Sequence, residues 1–191
     1  MAADRLYELL ERLGTLLRSD ARHVASRHGL QPAQLAALLY LTRCNRYSDT
    51  PMAVTEYLGV TKGTASQTLQ RLQDKQLVSR SADAADGRRQ RLRPTARGRR
   101  IAASVPSETL SAALQASVGR DFEDALAGLL RQVQQANGSR TFGLCRTCRH
   151  FRRGQGAAAH QCGLTMEPLR DPEPERICRE HEPRTDRELA D

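Results

Sequence analysis

Tryptophan is absent, and aromatic residues make up only 4% of a 191-residue chain that is 39% hydrophobic. A core with so few rings must be filled by leucine and alanine, which points to packed helices. Long apolar runs are missing as well. No stretch approaches the roughly 18 consecutive apolar residues of a membrane span. The opening MAADRLYELLERLG carries acidic residues where a secretory leader has its apolar stretch. The expectation is a cytoplasmic protein with no membrane partner. Catalytic motifs are lacking too: there is no glycine-rich phosphate loop, no nucleophile elbow and no His-Glu helix pair. The chain is therefore not expected to be an enzyme. Acidic residues are the minority among charges, 22 against 30 Lys and Arg, which leaves a formal charge of +8 at pH 7. That balance suits a polyanionic partner.

What is present is concentrated between Thr50 and Gly98. Thr50 is an N-cap candidate, and Pro51 follows at the first helical position, where a missing N–H costs nothing. Met52, Val54 and Leu58 give a short helix its apolar positions, and Gly59 can stop it because glycine tolerates positive φ. Thr61 is a second N-cap. It opens a helix whose apolar side is Ala65, Thr68, Leu69 and Leu72. The opposite side carries Lys62, Gly63, Thr64, Ser66, Gln67, Gln70 and Arg71, which are short donors, amides and cations. Two helices joined by Gly59-Val60-Thr61 read as a helix-turn-helix whose second helix presents its first residues to base edges.

Past Leu77 the pattern becomes alternating. Leu77–Arg80 and Gln90–Arg93 read as strands around a polar turn at Asp86-Gly87. Arg80, Arg88, Arg89, Arg91 and Arg93 all fall in this hairpin, so it reads as a wing suited to phosphates or a minor groove. Taken together, the expected fold is mainly α: a winged helix-turn-helix, meaning a helical bundle with a small β-hairpin wing, plus a small C-terminal cysteine-rich module. The expected division is 1–137 for DNA binding and dimerisation and 138–191 for linker and tail.

The helix-turn-helix followed by D-x-R and then x-x-x-L-x-x-T-x-x-G resembles the MarR group of winged-helix transcriptional regulators. The matching residues are Asp86, Arg88, Leu92, Thr95 and Gly98, preceded by Leu58-Gly59-Val60-Thr61-Lys62. Pro94 departs from the pattern, which usually has leucine there, and predicts an early end to the second wing strand. The resemblance covers roughly residues 1–137. It implies a homodimer built from the first and last helices, with two recognition helices about one duplex turn apart.

Those flanking helices are legible on their own. Leu6, Leu9, Leu10, Leu13, Leu16 and Leu17 form a stripe on a helix expected from about Asp4 to His28. A second helix starts at Pro32, with Leu35, Leu38, Leu39 and Leu41 inward. Thr95 caps another, Pro106 interrupts it, and Ser107 caps its resumption. Residues from Arg120 to Gln135 carry Phe122, Leu126, Leu129, Leu130 and Val133. Stripes this long exceed what local neighbours can cover, which marks an interface. His23 and His28 read as surface or interface residues. Cys44 reads as a buried, inert thiol, the usual state of free cysteine, with a reactive thiol activated by Arg43 and Arg46 as the alternative.

Residues from Gln135 to Arg140 read as a linker. Beyond it, Cys145-x-x-Cys148 forms a knuckle, with Cys162 and Cys178 following. Four thiolates in so short a segment match a closed tetrahedral site, and a closed site argues against catalysis. Few apolar residues surround them, so metal would supply much of the folding free energy. Zinc fits, with His150, His160 or His181 able to replace one cysteine. A four-iron cluster is the alternative. The scarcity of shielding aromatics, Phe142 and Phe151 alone in the tail, favours zinc.

The functional expectation is a sequence-specific, double-stranded-DNA-binding transcription regulator, acting as a repressor. Thr61, Lys62, Thr64, Ser66, Gln67 and Arg71 would enter the major groove, Arg88 and Arg89 would hold the wing on the backbone, and Asp86 would order the wing by pairing with an arginine. The metal site would be structural, or would answer to a redox or small-molecule effector. A zinc-stapled protein-interaction adaptor is the alternative from another class.

Overall fold

The computed structural model describes residues 2–84, 86–117, 119–154 and 159–184, without the side chains of 2, 108, 109, 117 and 120. Met1 and the last residues of the predicted tail, 185–191, lie outside the described residues. Helix α1 is Ala2–Arg27, α2 Pro32–Arg43, α3 Pro51–Leu58 and α4 Lys62–Asp74. Strands β1, Val78–Ala82, and β2, Gln90–Pro94, follow, and then α5 Ala96–Ala103, α6 Glu108–Ser117 and α7 Arg120–Ala136. The tail holds three short strands, β3 Phe151–Arg152, β4 His160–Cys162 and β5 Pro168–Leu169, which pair antiparallel in that order.

Local chemistry sets the boundaries of the central elements. Thr50 and Thr61 cap α3 and α4, accepting from the N–H of Ala53 and Thr64, and Thr95 does the same for α5 through Gly98 N–H. Gly59 closes α3 in the left-handed region, at φ 62°. Leu35, Leu38, Tyr40, Val54, Leu69, Leu72, Leu77 and Leu92 bury into one core between α2, α3, α4 and the strands. Gly98 lets α5 approach that core. A Cβ there would stand 2.3 Å from the carbonyl oxygen of Leu77 and 3.1 Å from Leu38 Cδ1.

β1 and β2 pair antiparallel from Val78↔Pro94 to Ala82↔Gln90. The early end predicted from Pro94 does not occur. As the final residue of its strand, Pro94 removes no bond the ribbon needs, and the next N–H, from Thr95, donates to Leu77 O at 2.9 Å. The connection after α7 also differs from a free linker: the helix continues to Ala136, and Arg140 pairs with both Glu56 and Glu180.

Candidate nucleic-acid interface and cysteine cavity

On α4, Ala65, Thr68, Leu69 and Leu72 turn into the core. Lys62, Gly63, Thr64, Ser66, Gln67, Gln70 and Arg71 are exposed. The hydroxyls of Thr61 and Thr64 lie 3.0 Å apart, which ties both to the helix cap. Gln70 donates to Asp74 at 2.9 Å. Lys62 and Ser66 share a groove of about 240 Å³ with Arg80 of β1 and with Pro51 and Met52 of α3. Pro51 and Met52 also line the adjoining groove, whose other side is Arg88, Arg89 and Gln90. Helix α4 and the β1–β2 ribbon thus flank the start of α3, joined by two adjoining grooves.

The wing arginines divide by role. Arg80, Arg88, Arg89 and Arg93 are exposed. Arg91, which the sequence placed with them, turns inward: its guanidinium donates to Asp49 at 2.7 Å, to Asp83 and to the carbonyl of Arg46. Burying a charge requires such partners. Asp86 accepts from Arg88 N–H at 3.1 Å, and its other carboxylate oxygen lies 3.3 Å from Arg89 Nε.

The tail docks on the helix-turn-helix at the loop between α2 and α3. Ile177 and this loop exchange backbone bonds, Ile177 N to Arg43 O and Asn45 N to Ile177 O, both 2.9 Å. Phe142 packs edge-on against Tyr57 and Tyr40, with ring centroids 5.2 and 6.0 Å away. Arg179 grips Glu56 through both carboxylate oxygens, at 2.7 and 2.8 Å, and Arg46 pairs with Glu173 and Glu167. No sequence pattern announces these contacts, since each joins residues between 85 and 134 positions apart. The one available signal was the polar cluster Asn45-Arg46-Tyr47-Ser48 in a loop otherwise without a task.

Cys145, Cys148, Cys162 and Cys178 all line one cavity of about 40 Å³, together with Tyr47, His150, Phe151, Leu164 and Leu169. No disulfide joins them. Among the described residues, no three His, Cys, Asp or Glu side chains are placed to hold a single metal ion. The hydrogen bond between Cys145 and Cys178 lowers the Cys178 thiol to about 6 and pushes Cys145 well above the usual thiol range. Burial raises Cys148. Asn45 donates to Cys145 Sγ at 3.1 Å, and Glu182 N–H to Cys148 Sγ at 3.5 Å. His181 is engaged at both ring nitrogens, by Thr141 at 2.7 Å and Thr147 at 3.0 Å, which removes it from the candidate ligands. His160 Nδ1 accepts from Gly154 N–H. Cys44, half-buried outside the cavity, is pushed up to about 12 by burial, which favours its protonated form.

The helix-turn-helix, the β1–β2 ribbon after it and the capped α5 define a winged helix-turn-helix fold. The sequence model of the MarR family matches residues 28–89. Solved structures with the same fold include Staphylococcus aureus MepR in its DNA-binding conformation, at TM-score 0.59 and 19% identity, covering 69% of this chain and 98% of that one. The transcription regulator MarR from Oenococcus oeni PSU-1 aligns at 0.56 and 20%, covering 68% and 98%. CouR from Rhodococcus jostii RHA1, bound to p-coumaroyl-CoA, aligns at 0.55 and 17%, covering 70% and 94%. No curated protein matches the chain. Among the described residues, no helix is long and apolar enough to cross a membrane.

Proposed function

We propose that this chain is a sequence-specific, double-stranded-DNA-binding regulator of transcription that works as a homodimeric repressor. The observation that carries the reading is the shared surface of Lys62, Ser66 and Arg80, continued at the wing by Arg88 and Arg89. Such a surface inserts α4 into the major groove and lays guanidinium groups along the phosphates. In this reading Lys62 and Arg71 take phosphate or guanine, Gln67 takes adenine, and Thr61, Thr64 and Ser66 supply adaptable contacts.

Dimerisation is supported by the leucine stripes. Leu6, Leu9, Leu16 and Leu17 of α1 and Phe122, Leu126 and Leu130 of α7 are all more than 40% exposed, and such apolar area calls for a partner. A cavity of about 520 Å³ between α1 and the α5–α6 connection, lined by Val24, Ala103 and Pro106 as well as Asp20, His23 and Arg27, suits a small-molecule effector. The four tail cysteines, which line one cavity, hold a metal centre. Four thiolates would close the coordination sphere, so the site's role is structural or regulatory.

The test is binding to genomic duplex fragments, titrated with salt. Arg88→Ala should weaken binding on every sequence and flatten the salt slope, whereas Gln67→Ala should relax one base preference. Equal losses on specific and random duplex in both variants would refute that division. A chain that ignores duplex even in dilute buffer would instead support the protein-interaction adaptor.

A further inference from the structure

We infer that the cavity between Cys145, Cys148, Cys162 and Cys178 holds a four-iron iron–sulfur cluster rather than a single zinc ion, with Tyr47 of the helix-turn-helix domain forming part of its wall. Size is the first reason. The cavity measures about 40 Å³, whereas one water needs roughly 10–15 Å³ of such space. The space is therefore large enough for a group of several atoms.

Sulfur placement is the second. Zinc bound at about 2.3 Å from four thiolates draws the sulfurs to within ~4 Å of one another. Here the four cysteines line one cavity, yet no three ligand-type side chains among the described residues are arranged around one point. A cuboidal cluster carries its four thiolates on separate irons, so it needs the wider cage that these cysteines line.

The walls give the third reason. Apart from the thiols the lining exposes almost no polar surface, so ordered water has too few partners to fill it. An empty space of this size would cost packing in a module that has little to spare. The tail's own aromatics are few, but Tyr47 arrives from the loop before α3, and Leu164 and Leu169 add to Phe151. The shielding that the tail sequence lacks is thus supplied in part by the domain it docks on. Two N–H groups, from Asn45 and Glu182, point at ligand sulfurs, which offsets the charge of a thiolate-bound cluster and tunes its potential.

The inference stands apart from the DNA-binding reading, since a chain that ignored duplex could still load the cluster. The test uses the full chain, purified without oxygen and reconstituted in parallel with ferrous iron plus sulfide and with zinc. Expected are iron and acid-labile sulfide near four of each per chain and broad absorbance at the blue edge of the visible. One tightly held zinc without sulfide overturns the proposal, as do two irons per chain or no retained metal at all. Cys162→Ser should lose the band and most of the sulfide while Cys44→Ser, outside the cavity, keeps both. If Cys162→Ser does not fold, Cys44→Ser and a conservative Tyr47→Phe decide: both should load fully, and loss of loading in Cys44→Ser would overturn the placement.

Discussion

Asn45 donates from its side-chain amide to the sulfur of Cys145, 3.1 Å away. The same residue accepts from the Ser48 hydroxyl at 2.7 Å and the Tyr47 N–H at 3.1 Å, so one buried amide joins the tail to the loop that launches α3. Asn45→Leu should leave three groups without their partner and lower stability by about 1–3 kcal/mol, read from urea midpoints. Asn45→Asp keeps the acceptor but sets a carboxylate against a sulfur, and should reduce metal retention further than Asn45→Leu does.

Arg91 and Arg88 are close in the chain yet differ in task. Arg91→Ala removes the buried cation from beside Asp49 and Asp83, whose carboxylates are only 13% exposed, and should cost about 2–4 kcal/mol of stability. Arg88 is exposed, and its replacement by alanine should change stability by no more than about 0.5 kcal/mol. Thermal denaturation of the two variants side by side checks the contrast.

Gly98→Ala should be more damaging than its size suggests. The added methyl would meet a backbone carbonyl, that of Leu77, which already accepts from Thr95 N–H, and neither side can move without shifting α5 or β1. Overpacking of this kind costs about 1–3 kcal/mol or more, visible as a lowered melting temperature.

Docking of the tail should weaken in acid. Glu56 is held below the usual carboxylate range, first by its hydrogen bond from Arg179 and then by the nearby charges of Arg179 and Arg140, against an opposing burial effect. A carboxyl lowered in the folded state stabilises above its unfolded pKa, near 4.5, and that contribution is lost as pH falls through the folded value. Amide exchange at Asn45 and Ile177 should therefore accelerate below about pH 4.5. In Glu56→Gln exchange should be faster at neutral pH and less dependent on acid.

Much of the winged helix could be read directly because caps and stops are short-range chemistry. Thr50-Pro51, Gly59, Thr61 and Thr95 each act on residues within four positions, and each appears where its type predicts. Periodicity likewise placed Leu69 and Leu72 inside. Alternation could not say which wing arginine faces inward, because Asp49, the partner that selects Arg91, lies 42 residues away. The seat of the tail was hidden for the same reason: Asn45, Tyr47 and Ser48 look like ordinary loop residues until Cys145, Glu167 and Arg179 arrive.

Arg46 works in two directions, its guanidinium held by Glu167 and Glu173 and its carbonyl by Arg91 of the wing. The appendage is consequently not portable. Transplanted onto another winged helix it would arrive without its socket, and a wing exchanged into this chain would have to bring an inward arginine with it.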